Sequence, residues 1–169
     1  MKFNQQRVMT VAAVALFACA SFNVFALSVS GSTTLTYSQQ QPVPIAQAEG
    51  NVLLAGEAHG INKNTGRTDY MDGASVTNQD IAQLSQGNGI HAGYFTKVTP
   101  EGSTVAKWDG KVTTVMKDGN PMTSFKGMWV YANGTGKYAG VKGGGEYTGY
   151  FTSKDTYVLD LKGDITMAK

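Results

Sequence analysis

The sequence predicts an all-β protein: a small closed antiparallel barrel of about eight strands behind an N-terminal signal peptide. Three observations lead there. From residue 51 onward the apolar residues recur with a period of two, not 3.6. Short turn-forming clusters separate the periodic runs. A glycine stands near the middle of almost every run, in phase with its apolar residues.

Residues 1–26 read as the leader. Lys2 and Arg7 make a basic start, Val8 to Ala18 is an apolar run too short to span a bilayer, and Val24 and Ala26 are small residues at a cleavage site. Cys19 offers a competing outcome, because Leu16-Phe17-Ala18-Cys19 resembles the lipobox of lipidated proteins; Phe17 is a poor fit to it. Cleavage after Ala26 leaves 143 residues, enough for one domain with its own core. That part has no cysteine, hence no disulfide and no thiol chemistry. The leader also takes two of the 14 basic residues, leaving 12 against 12 acidic ones. A neutral domain without a basic run lacks the electrostatic footprint of nucleic-acid binding. The protein is expected to be exported, periplasmic or extracellular, with no membrane span.

Residues 27–50 read as an entry segment or linker, with an edge strand over Ser28 to Tyr37 and with Pro42 and Pro44 barring a helix. The barrel domain is expected over residues 51–169. Its strands are read in NVLLAGEAHGI, IHAGYFTKV, STVAKWDGKVTTVM, MTSFKGMWVYA, GGEYTGYF and TYVLDLKGDITM. The last is the cleanest: Tyr157, Leu159, Leu161, Ile165 and Met167 share one face, and Asp160, Lys162 and Asp164 the other. Turns are expected at Pro100-Glu101-Gly102, Asp118-Gly119-Asn120-Pro121, Asn133-Gly134 and Ser153-Lys154-Asp155. These short connections predict a meander. Asp80 to Leu84 is the one stretch that reads as a short helical turn.

The in-phase glycines select the barrel. Gly56, Gly93, Gly110, Gly127 and Gly163 all share parity with large apolar neighbours. Glycine weakens a flat strand, and tight curvature gives it a reason to be there. A two-sheet sandwich is the rival architecture.

The glycine-rich stretch NGTGKYAGVKGGGEYTGYF, residues 133–151, is not a phosphate loop. Lys137 follows Gly136, but Tyr138 stands where Ser or Thr is needed, and no helix-forming sequence follows. It suits a barrel corner: Gly134 and Gly136 allow a left-handed bend, and Tyr138 covers an end of the core. Trp129 to Gly149, together with WDGKVTT, SFKGMW and LDLKGDI, is similar to small bacterial exported proteins of the allene oxide cyclase-like barrel type. Plant dirigent proteins share that fold and a looser form of the corner. The resemblance covers roughly residues 51–169 and is sharp from residue 107. It implies a calycin-like closed barrel of about eight strands. Most bacterial members of the type have no assigned activity, and no catalytic set of the plant enzymes maps onto this chain.

The inward aromatics carry the functional expectation. Phe95, Trp108, Trp129 and Tyr147 share inward parity, either filling the interior or lining a cavity at its mouth. His91 shares parity with Gly93 and Phe95 and joins them as a pocket candidate. His59 pairs with Glu57 on the wet face, and Asp109 and Asp160 point outward. Asp69 and Asp72, in RTDYMDG, are assigned to a turn in preference to a cation site. No metal and no cofactor are called for. Ile90, Ala92, Tyr94 and Val98 form an apolar outer side suited to self-association into a homo-oligomer. The leading expectation is an exported barrel that binds a small hydrophobic ligand. A cell-envelope interaction protein with a filled barrel comes next, then a cyclase- or isomerase-type enzyme.

Overall fold

In a computed structural model, which describes residues 26–66 and 68–167, the chain is a single closed antiparallel barrel of eight strands. The predicted signal peptide and Cys19 lie outside the described residues, except for Ala26. The strands are β1 (Leu27–Pro44), β2 (Asn51–Asn64), β3 (Ser75–Ser85), β4 (Asn88–Thr99), β5 (Gly102–Lys117), β6 (Asn120–Gly134), β7 (Lys142–Phe151) and β8 (Thr156–Thr166). Each pairs with its neighbours in sequence, and β1 closes the circle on β8 with Leu27 opposite Ile165.

Two segments differ from expectation. Residues 27–44 are a stave of the barrel, paired with β2 over 31–44 and with β8 over 27–36, so the barrel begins at Leu27. The reason is its inward row: Val29, Thr33 and Leu35 are buried, so a strand rich in Ser and Thr still contributes to the core. The second is β3. Asp80 to Leu84 is strand, not helical turn, and β3 supplies the stave that the periodic runs did not reveal. It enters a two-residue hairpin at Gln86-Gly87, both with positive φ, the geometry that matches strand twist. Asp118-Gly119 repeats that geometry between β5 and β6.

The in-phase glycines point inward, and most make room for a large neighbour. A Cβ on Gly93 would stand 2.7 Å from Trp108 Cζ2, and one on Gly127 2.5 Å from the Tyr147 hydroxyl. Curvature and side-chain room therefore act together.

One end of the barrel is closed. The loop between β2 and β3 brings Met71 and Ala74 against Tyr138, which sits on a 3-10 turn over Gly136–Tyr138. Tyr70 meets Tyr138 edge-on at 5.6 Å. In this corner Gly136 and Gly140 take positive φ, whereas Gly134 does not. Gly134 is needed because any Cβ there would meet Val141 Cγ1 at 2.9 Å and the Tyr138 carbonyl. The opposite end has only the short hairpin turns and the 45–50 and 152–155 loops.

Outward residues Ile81, Ile90, Tyr94 and Val98 are exposed in the single chain. The outer face also carries Lys107, Asp109, and a Lys162–Glu146 ion pair at 3.4 Å. Among the described residues no helix is long and apolar enough to cross a membrane.

Candidate functional site: the barrel interior

The alternating strands place eight inward rows around one axis, and the rows leave a cavity of about 590 Å³ between them. All five pocket candidates, His91, Phe95, Trp108, Trp129 and Tyr147, line it. The aromatics do not fill the interior, so a filled barrel is not what the fold produces. The cavity reaches from Lys97, Thr104 and Tyr131 near the closed end to Gln40, Leu84, Pro121 and the exposed 152–154 loop at the open end.

Its walls are mostly apolar, with polar groups at fixed places. On β4, His91 Nε2 lies 2.9 Å from the Tyr147 hydroxyl of β7. The His91 ring meets Trp108 edge-on at 4.8 Å and Phe125 at 5.5 Å. Burial among these rings pushes its pKa down to about 4, so the imidazole is neutral at neutral pH. Trp108 Nε1 donates to Asn78 Oδ1 at 3.0 Å, and Asn78 Nδ2 donates to the Tyr157 hydroxyl at 2.9 Å. Trp129 Nε1 reaches the carbonyls of Glu146 and Lys162 at 3.2 and 3.3 Å.

Four further residues matter that sequence reasoning did not single out. Asp80 on β3 accepts the Tyr37 hydroxyl of β1 at 2.7 Å through Oδ2, and its buried Oδ1 has no partner among the protein atoms. Burial raises the Asp80 carboxyl above its ordinary value and likewise raises Tyr37. Lys97 on β4 gives a hydrogen to Asn62 Oδ1 at 2.7 Å. Burial alone pushes its pKa down to about 7. Thr104 on β5 has a buried hydroxyl without a partner. Lys97 was within reach of the period-two rule, two residues beyond Phe95 in the same phase. Asp80 was not, because its strand was not recognised.

The remaining candidates fall elsewhere. His59 Nε2 pairs with Glu57 at 3.0 Å on the outer face. Asp72 accepts the backbone amide of Asn64 at 2.8 Å and so serves the β2–β3 turn. Among the described residues no three His, Cys, Asp or Glu side chains converge as a metal set.

Fold and interior together define a closed eight-stranded antiparallel barrel with an aromatic-lined cavity open at one end. No family model matches the chain, and no curated protein matches it. Among solved structures it is similar to two pterocarpan synthase dirigent proteins. For GePTS1 the TM-score is 0.47 at 11% identity, covering 94% of this chain and 98% of that one. For PsPTS1 the TM-score is 0.43 at 12% identity, covering 88% and 97%.

Proposed function

We propose that this protein is an exported barrel that binds one small hydrophobic molecule in its interior. The cavity carries the proposal: it has the volume of a small-molecule site, apolar and aromatic walls, and a few fixed polar groups. Export rests on the sequence of residues 1–26, with a basic start, a short apolar run and a small-residue exit. Carrier-like binding requires no catalytic set, consistent with walls that are mostly packing surface.

Two measurements test it. Mass spectrometry of organic extracts from protein purified out of its native envelope is expected to find a co-purifying apolar compound. Titration with N-phenyl-1-naphthylamine, a neutral apolar fluorophore, is expected to quench Trp108 and Trp129 with one-site saturation. Protein that releases nothing and takes up no fluorophore would overturn the proposal.

A second function, that of a cyclase- or isomerase-type enzyme, is favoured by one observation. Asp80 presents a buried carboxyl, biased toward its protonated form and with one free oxygen, on the wall of the same cavity. Such a group can donate or accept a proton where water is scarce.

A further inference from the structure

We propose that the closed end of the cavity takes the carbonyl group of an apolar aldehyde or ketone and holds it as an imine on Lys97. The proposal rests on the interior being a binding site.

Lys97 and Thr104 are direct register partners on β4 and β5, so their side chains leave the sheet side by side. Both line the cavity, at 6% and 1% exposure. An ammonium has three hydrogens to give. Nζ gives one to Asn62 Oδ1 and otherwise lies 5.9 Å from the centre of the Phe95 ring. Val76 is its register partner on β3 and brings no charge. The nearest inward carboxylate on that strand, Asp80, is four residues away, about 13 Å along the stave. The titratable side chains packed at this end are the phenols of Tyr70, Tyr131 and Tyr138; Tyr70 and Tyr131 are hydrogen-bonded to each other at 3.1 Å and held neutral by burial.

A buried amine without a counter-charge is poor packing material, since an apolar side chain of the same length would avoid the desolvation penalty. Its value is chemical. Burial leaves a large fraction of Lys97 as the free amine near neutral pH, and the free amine is the nucleophile. Its lone pair attacks the carbonyl carbon, forming the C–N bond. The proton lost by nitrogen goes to the carbonyl oxygen. The carbinolamine then loses water to form C=N, with no net oxidation or reduction. Thr104 Oγ1, on the register partner of Lys97 and without a well-formed hydrogen bond in the fold, is free to turn toward the carbinolamine oxygen. The apolar walls formed by Phe95, Ala106 and Trp108 limit the water that would hydrolyse the imine. A carboxylate would instead bring a second charge into a region with one hydrogen-bonded amine, and would itself have to be desolvated. A carbonyl brings none.

The test is reductive trapping on the full chain. The protein is incubated near pH 7 with cinnamaldehyde and cyanoborohydride, and modified lysines are mapped by peptide mass spectrometry. Binding of cinnamyl alcohol, which cannot form an imine, is followed in parallel by Trp108 and Trp129 quenching. Lys97 is expected to be modified at least about tenfold faster than exposed Lys63 and Lys111. Cinnamyl alcohol is expected to protect Lys97 and not the surface lysines. Lys97→Met is expected to lose internal trapping; should it not fold, the protection experiment on the unaltered chain decides. Modification confined to surface lysines while the alcohol binds would overturn the imine and leave the carrier function standing. Tighter binding of cinnamic acid than of the alcohol, with no trapping, would overturn it in favour of an anion site. Entry of neither aldehyde nor alcohol would remove both.

Discussion

Tyr37 and Asp80, 43 residues apart in the chain, meet inside the barrel through a 2.7 Å hydrogen bond from phenol to carboxyl. The bond ties β1 to β3 across β2, whose Gly56 lies between them. A Cβ on Gly56 would stand 2.5 Å from Tyr37 Cε1 and 2.8 Å from Asp80 Oδ1. A glycine in the middle stave thus lets a polar contact form over it. The second carboxyl oxygen remains buried without a partner.

Removing the phenol hydroxyl should be costly. Tyr37→Phe leaves both Asp80 oxygens without a donor, and a buried group stripped of its partner loses about 1.5–3 kcal/mol. Urea unfolding at neutral pH is expected to show a loss of that size. Below the folded-state carboxyl pKa the loss should shrink, since a protonated Asp80 is cheaper to bury.

Asp80 also sets a pH dependence. Burial raises its folded-state value, whereas the unfolded carboxyl stays near about 3.9. Between those two values the folded chain holds the proton and the unfolded chain does not. The Asp80 contribution to stability therefore falls as pH rises through that window and is flat above it. Asp80→Asn should remove this slope and be at least as stable as wild type at pH 8. A variant whose stability still falls as pH rises through that window would contradict the assignment.

His91 acts with the opposite sign. Its folded value is about 4, while the unfolded ring titrates near about 6.5. In that window the unfolded chain binds more protons at this ring, so the His91 contribution to stability falls as pH drops from about 6.5 through 4. The effect is on the order of 2 kcal/mol once solvent screening is allowed for. NMR titration of the His91 ring is expected to show an inflection near 4, and His91→Gln to flatten this limb of the stability curve. A ring titrating at 6 or above would contradict burial as the dominant cause.

The inward glycines are expected to be intolerant. Gly93→Ala would press a methyl against Trp108 Cζ2 and the Gln79 carbonyl. The carbonyl belongs to the β3–β4 ladder and cannot retreat, so Trp108 must move and its 3.0 Å bond to Asn78 is lost. A loss of about 2–3 kcal/mol in urea unfolding is expected, with a changed near-UV circular dichroism signal from the displaced indole.

What could be read from the chain, and what could not, follows from which faces carry which chemistry. β8 was legible because Tyr157, Leu159 and Ile165 face inward while Asp160, Lys162 and Asp164 face out. β3 inverts this rule. Its inward row includes Asn78 and Asp80, and Ile81 faces solvent at 64% exposure. A period-two search for apolar residues therefore finds no strand there. β1 was half hidden for a related reason, since Thr33 occupies an inward place at 1% exposure. The aromatic pocket residues were legible by parity. The polar ones were not, because a charge in a half-buried strand is ordinarily assigned to the wet side. Lys97 obeys the parity and breaks the charge rule. The residues most open to a functional role are thus those whose inward placement contradicts their type.

Narrowing the cavity should separate binding from folding. Ala106 is buried, faces inward on β5, and lines the cavity beside Trp108. Ala106→Leu adds three carbons on the cavity side, where they occupy space that would otherwise admit a ligand. A side chain growing into a cavity displaces no close-packed neighbour, so folding stability should change by less than about 1 kcal/mol in either direction. Affinity for N-phenyl-1-naphthylamine should fall about tenfold or more, because the bound probe and the new side chain compete for one volume. Unfolding by urea and fluorescence titration on the same sample distinguish the cases. An unchanged affinity in a normally folded variant would mean that the probe sits on the outer face, beside Ile81 and Tyr94, and would count against the interior as the binding site. A lost affinity with intact stability would place the ligand between the staves, where Phe95, Trp108 and Trp129 can contact it.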